Sequence, residues 1–266
     1  MEVCMYILFF IISFSASIIG AICGIGGGII IKPVMDAFGV LDVSVINFLS
    51  GCTVLSMTTY SVCKSLIAKD SSINMKLGTP LAIGAAIGGL AGKELFTYVA
   101  SLFETPNTAG AVQAFILMLI TLGTLLYTIK KDSIHTHRVT NLFLCLIIGF
   151  ILGCISSFLG IGGGPINLVV LYFFFTMGTK EAAQNSLYII LFSQGTSTLR
   201  SLFTTNLSQI SIFLLAGMVI CGILGGIFGR KINKKINEAM VDKLFIGLMI
   251  VIIFINIYNI YHFLSM

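Results

Sequence analysis

Apolar residues in this chain run in long uninterrupted blocks, at 3–38, 43–66, 77–92, 109–129, 141–177, 181–204, 208–229 and 241–263. A helix needs about 20 apolar residues to cross a hydrocarbon core of about 30 Å. The pattern therefore predicts an all-α, polytopic helical membrane protein. Two blocks are too long for one straight span. At 1.5 Å per residue, a helix over 3–38 would reach about 54 Å, and 141–177 is similar. Each overlong block carries a glycine cluster where a turn or break is needed. These are Gly24-Ile25-Gly26-Gly27-Gly28 and, 136 residues later, Gly160-Ile161-Gly162-Gly163-Gly164.

The repeat extends further. Lys64-Ser65-Leu66 returns as Arg200-Ser201-Leu202 at an offset of 136. The run Ile87-Gly88-Gly89-Leu90-Ala91-Gly92-Lys93 returns as Leu224-Gly225-Gly226-Ile227-Phe228-Gly229-Arg230 at 137. An internal duplication within a single membrane domain, 1–266, follows: repeat 1 over 1–129, a polar linker over 130–140, and repeat 2 over 141–266.

The basic residues choose between two topologies. If each long block crosses once, the halves are parallel and the lysines and arginines divide nearly equally between the faces. If each long block is a hairpin, the halves are inverted. Then Lys64, Lys69, Lys76, Lys130, Lys131, Arg138, Lys180, Arg230, Lys231, Lys234, Lys235 and Lys243 share one face. That is 12 of 15 basic residues, with Lys93 the clear exception. The asymmetry selects two inverted repeats, each opening with a glycine-broken helical hairpin followed by three transmembrane helices. The basic face, linker included, is then cytoplasmic and both termini are extracytoplasmic. A re-entrant and a doubly crossing hairpin give the same parity.

Composition closes off other classes. The chain is 57% hydrophobic and 9% charged, against about 25% charge in soluble domains. No polar run is long enough for an aqueous catalytic domain, and no basic stripe supports nucleic-acid binding. Met1-Glu2-Val3 has no basic n-region, which argues against a secretory signal. The seven cysteines are scattered without a CxxC pair and read as small apolar packing residues. His135 and His137 lack Cys or carboxylate partners, so no metal site is expected.

Candidate chemistry centres on the glycines. Three in succession disfavour helix by about 1 kcal/mol each relative to alanine. Pro165, directly after the second cluster, removes one more backbone donor. A helix that restarts there presents unpaired N–H groups and a partial positive charge, which suits a small anion. On this reading Gly26, Gly27 and Gly28 meet Gly162, Gly163, Gly164 and Pro165 near the midplane. The other reading is that these glycines only let helices approach closely. Side-chain donors on the following helices are Asn47 and Ser50 in repeat 1 and Asn185, Ser186 and Gln194 in repeat 2. The competing role for each is to bind helices together. Lys32 and Arg200 are the charges placed within or near the ends of apolar segments, either at a site or snorkelling to headgroups. All ten acidic residues fall in loops or at segment ends, which leaves no central carboxylate as a proton relay.

The paired Gly-Ile-Gly-Gly-Gly clusters, one opening each four-segment repeat, resemble those of the TauE/SafE family (sulfite exporter TauE/SafE-like membrane transporters). The resemblance covers the whole chain. It implies a secondary transporter in the cell membrane that exports small anions such as sulfite, sulfonates or related sulfur compounds, and it implies no cofactor. Alternating access around the two clusters is the expected mechanism. The expected partners are a small anionic substrate, with or without protons, and the lipid bilayer; nothing sets an oligomeric state. Pro165 departs from symmetry, because Ile29 follows the first cluster and Pro33 comes four residues later. The alternatives are uptake of a sulfur compound, such as thiosulfate, in the same fold, or a non-transporting membrane subunit. No HExxH or GxSxG motif supports an enzyme.

Overall fold

Helix accounts for every apolar block. The computed structural model describes residues 2–68, 71–103, 105–204 and 210–265. Lys69 of the topology count, Asp70, Glu104 and the first residues of the seventh apolar block lie outside them. The helices are α1 (Glu2–Cys23), α2 (Gly28–Phe38), α3 (Val43–Ile67), α4 (Met75–Ser101), α5 (Pro106–Lys130), α6 (Leu142–Leu159), α7 (Pro165–Phe175), α8 (Thr179–Thr204), α9 (Ile212–Lys235) and α10 (Glu238–Ser265). No strand occurs among the described residues.

Among the described residues, six helices are long and apolar enough to cross a membrane: α1, α3, α5, α6, α9 and α10. At 27 and 26 residues, α4 and α8 are also of spanning length but carry more polar and glycine positions. The polar face of α8 is buried: Asn185, Ser186, Ser193, Gln194, Ser197, Thr198 and Ser201 are all inside. Protein rather than lipid surrounds them, so the helix tolerates what its hydropathy lacks.

Each overlong block resolves into one long helix and one of 11 residues. Eleven residues rise about 16 Å, roughly half the hydrocarbon thickness. The hairpins are therefore unequal, with one arm of 22 or 18 residues and a half-length return.

Contacts between helices set their directions. Between α3 and α8 the order is antiparallel: Gly51 lies against Gln194 and Thr198, while Ser65 donates to Gln184. Between α4 and α8 it is parallel, with Gly78 beside Asn185 and Gly89 beside Ser193. α4 is also parallel to α6, α3 to α9, and α1 to α9, where Phe10 meets Gly217 and Ile18 meets Gly229. α5 and α10 are antiparallel, from Gly110 at Phe263 to Lys131 at Asp242. So α1, α3, α5 and α9 run one way and α4, α6, α8 and α10 the other.

One end of the bundle gathers the α3–α4 and α5–α6 connections, the end of α9 and the starts of α8 and α10. There Ser72 and Asn74 bond to α8, and Lys131 reaches both Thr179 and Asp242. Most basic residues fall at this end. The other end carries both termini: the Tyr6 ring lies tilted against Phe213, and Phe263 packs beside Val43 and Phe96.

Glycines knit the parallel pairs. A Cβ at Gly84, Gly88 or Gly92 of α4 would lie 2.0–2.1 Å from carbonyl oxygens of Leu146, Phe150 and Cys154 on α6. From the other side, Gly149 and Gly153 stand as close to Leu81 and Ala85. Backbones this near leave no room for any side chain, and dispersion between them supplies the association that hydrophobicity cannot supply in lipid.

Candidate functional site

The two glycine breaks touch at the middle of the bundle. α1 ends at Cys23, and the chain turns through Gly24 (φ 75°) and Gly26 (φ 69°) before α2 starts at Gly28. α6 ends on Gly160 (φ 67°), and Gly162, Gly163 and Gly164 follow at φ 71°, 123° and 81°. Left-handed backbone costs an L-residue about 1–2 kcal/mol at each position, so a run of this kind needs glycine. Space demands it as well. A Cβ on Gly28 would stand 2.3 Å from the Ile161 carbonyl oxygen, and one on Gly26 would stand 3.5 Å from that of Gly162. The N–H of Gly164 donates to the Ile25 carbonyl at 3.1 Å.

From this junction α2 and α7 leave in opposite directions. α2 runs to the terminus-bearing end, where Asn259 of α10 donates to the Pro33 carbonyl. α7 runs to the basic end, where His137 and Val139 donate to the carbonyls of Phe173 and Phe174. Two helix N-termini therefore converge on one place, each with unpaired N–H groups and partial positive charge. Gly26, Gly27, Gly162 and Gly163 are buried, and among the described residues their N–H groups have no acceptor. Alternation of positive and negative φ at Gly26 and Gly27 is the backbone sequence that forms an anion-binding nest.

Around the junction several buried side chains lack partners in the protein. The hydroxyls of Ser50 and Ser186, which are 136 positions apart, are fully buried and unbonded. The Oδ1 of Asn47 is unbonded and faces Gly160, where a Cβ would stand 2.2 Å away. Gln194 reaches Gly162 with its Oε1 and donates from Nε2 to Thr198 at 3.2 Å. Buried polar groups are ordinarily bonded, so a cluster of exceptions points to a ligand or a strained site.

Three sequence candidates sit differently. Asn185 is fully occupied: its Nδ2 donates to the carbonyls of Ser72 and Glu181, and its Oδ1 accepts from the N–H of Asn74. It latches the α3–α4 connection to α8. Arg200 lies near the end of α8, 41% exposed, and pairs with Glu94; the fold does not bring it to the clusters. Lys32 is buried in α2 and bonds Asp36 at 2.6 Å, both side chains 3% exposed. Asp36 stands at a segment end as its position indicated, yet it is as deeply buried as Lys32, and its Oδ1 is unbonded.

One residue was missed. Asn167 is the third residue of α7, fully buried, with neither amide atom bonded. Its Nδ2 lies 2.9 Å from where a Cβ of Gly163 would be. Its signal was present in the run Gly163-Gly164-Pro165-Ile166-Asn167: an amide in the first turn of a helix in lipid. It lies on the short arm of the hairpin itself and not on the helices after each hairpin, where the donors are expected.

A small cavity of about 50 Å³, partly open to solvent, leads in from the basic end. Ser61, Ser65, Arg230, Asn233 and Lys234 line it, and Ala183 on its wall touches Gly24. Cationic and hydroxyl groups thus flank the approach to the first break. Among the described residues, no cluster of three His, Cys, Asp or Glu could hold a metal.

The model of the sulfite exporter TauE/SafE family matches residues 9–255. The chain belongs to that family. Two relatives are similar to it along much of their length. The chain is 23% identical over 242 residues to "Probable membrane transporter protein YunE" of Bacillus subtilis, covering 83% of this chain and 87% of the relative. It is 25% identical over 171 residues to "Probable membrane transporter protein MJ0441" of Methanocaldococcus jannaschii, covering 62% and 60%. No solved structure matches. The TauE/SafE assignment makes this a multi-pass membrane transporter.

Proposed function

We propose that the chain moves a small anion, an oxyanion or sulfonate of sulfur, outward across the cell membrane by alternating access. On this reading the halves 1–129 and 141–266 are inverted repeats related by an axis in the membrane plane. The antiparallel order of α3 and α8 supports it. The substrate sits between the N-termini of α2 and α7. The observation that carries the reading is the convergence of four buried, unpaired glycine N–H groups with the unbonded Ser50, Ser186 and Asn167 side chains. Each helix terminus contributes about 0.3–2 kcal/mol toward an anion, so together they offset part of its dehydration without trapping it. A membrane potential negative inside favours anion exit by about 2.3 kcal/mol per charge per 100 mV, so export needs no coupled ion. Flux of sulfite, thiosulfate and a small alkylsulfonate into proteoliposomes tests it. Movement of any of these above empty vesicles supports the reading, and no movement of all three overturns it.

Uptake is the second reading, favoured by Asp36. A buried carboxylate with one unbonded oxygen, held by Lys32, is a group that could carry a proton alongside the anion. Accumulation of labelled thiosulfate by energised cells, abolished by an uncoupler, would establish it over export.

A further inference from the structure

The sequence repeat pairs Lys93 with Arg230 and, at the same offset of 137, Phe96 with Asn233. Ile22 and Phe158 correspond at 136. The two sets have opposite surroundings. At the basic end Arg230 and Asn233 line the open cavity, and Asn233 donates to the Ile22 carbonyl. At the terminus-bearing end Phe96 packs edge-on to Phe158, with ring centroids 6.2 Å apart. Phe96 also joins a buried apolar cluster with Val43, Ala109, Ala111 and Phe263. Corresponding positions are polar and open at one end, aromatic and closed at the other.

Lys93 lies behind that aromatic seal. It is only 4% exposed, and its Nζ stands 5.5 Å from the centroid of the Phe96 ring. Among the described residues no carboxylate or other acceptor bonds it, and the neighbouring Glu94 pairs with Arg200. An ammonium removed from water normally finds a counter-charge or several acceptors; an aromatic face replaces neither. Hydroxyls repeat too. Ser61 and Ser65 of the open cavity correspond to Ser197 and Ser201, buried at 5% and 4% exposure. Counterparts of Arg230, Ser61 and Ser65 therefore recur toward the terminus-bearing end, and there they are buried.

We propose that Lys93 is a second cationic contact for the transported anion, used when the terminus-bearing end opens, and that Phe96 and Phe158 close over it in the conformation seen here. The proposal rests on the transporter reading and adds to it. Lys93 receives at one face what Arg230 receives at the other, and Ser197 and Ser201 line the way. The one lysine out of place in the topology count then has a function at that face.

Two measurements test this, one independent of substrate. In oriented vesicles, Lys93→Gln raises the half-saturating sulfite concentration at least tenfold when sulfite is on the terminus-bearing side and less than twofold from the other side. Arg230→Gln shows the reverse, and Lys93→Arg restores affinity. Equal effects from both sides, or none, overturn the proposal. Separately, in a variant without native cysteines, Lys93→Cys reacts with a charged, impermeant maleimide added on the terminus-bearing side. Ser201→Cys gives the same readout if the first variant does not fold. No reaction from that side overturns the proposal, whether or not sulfite is carried. If wild-type protein carries no tested anion but position 93 still reacts, the opening of that end stands and the substrate reading alone fails.

Discussion

The backbone N–H of Gly164 donates to the carbonyl of Ile25 at 3.1 Å, so the two glycine breaks are joined main chain to main chain. Side chains cannot stand between them where the two main chains meet. Gly26→Ala tests how much the junction tolerates. Its Cβ would meet Val54 at 3.2 Å and both the Gly162 carbonyl oxygen and Ile190 at 3.5 Å, so the main penalty is the left-handed backbone, about 1–2 kcal/mol. The variant should fold with a slightly lower melting temperature and lose at least tenfold in flux. Gly163→Leu is a cruder probe, because its Cβ would already lie 2.4 Å from Ile190 at φ 123°, so folding should suffer along with transport.

Asn167 separates stability from affinity. Both its amide atoms are buried without partners, and an unbonded buried polar group costs about 1–3 kcal/mol. Asn167→Leu should therefore melt at the same or a higher temperature in detergent while its half-saturating substrate concentration rises about tenfold, roughly 1.4 kcal/mol. A parallel loss of both quantities would make Asn167 a packing residue.

Ser50 and Ser186 offer hydroxyls 136 positions apart. If both bind one anion, removing either should weaken binding about tenfold, the value of a hydrogen bond to a charged group near 1.5 kcal/mol. Ser50→Ala and Ser186→Ala should also fail to add in the double variant, since they share a ligand. Calorimetric titration with sulfite measures this.

Lys32 and Asp36 should behave as a unit. Removing one member of a buried ion pair leaves an uncompensated charge and typically costs about 3–5 kcal/mol. Lys32→Met or Asp36→Leu alone should lower the melting temperature markedly, and the double substitution should recover most of it. Transport by the recovered double variant then reports whether the pair serves the anion or only the fold.

Reporter fusions check orientation. A reporter active only inside the cell should be dark on either terminus and bright when inserted between Lys131 and Asn141. A bright terminus would reverse the assignment of faces, and unequal termini would break the inverted relation of the halves.

The hydropathy blocks, the two glycine clusters and the offsets of 136 and 137 were legible without coordinates, because spanning length, helix breaking and repetition are written locally in residue order. The spacing of Gly84, Gly88 and Gly92 is equally local, since steps of four mark one helix face, but that this face meets α6 is decided by the packing. Which amides and hydroxyls stay unbonded was not legible. Asn185 and Asn167 look alike as buried amides in apolar blocks, yet the α3–α4 connection happens to saturate one and nothing reaches the other. Nor could residue order tell that Lys32 and Asp36, one turn apart on α2, are both shut inside, or that Arg200 ends at the surface with Glu94. Those outcomes depend on which helix faces meet across more than a hundred residues of chain, and only the packed bundle settles them.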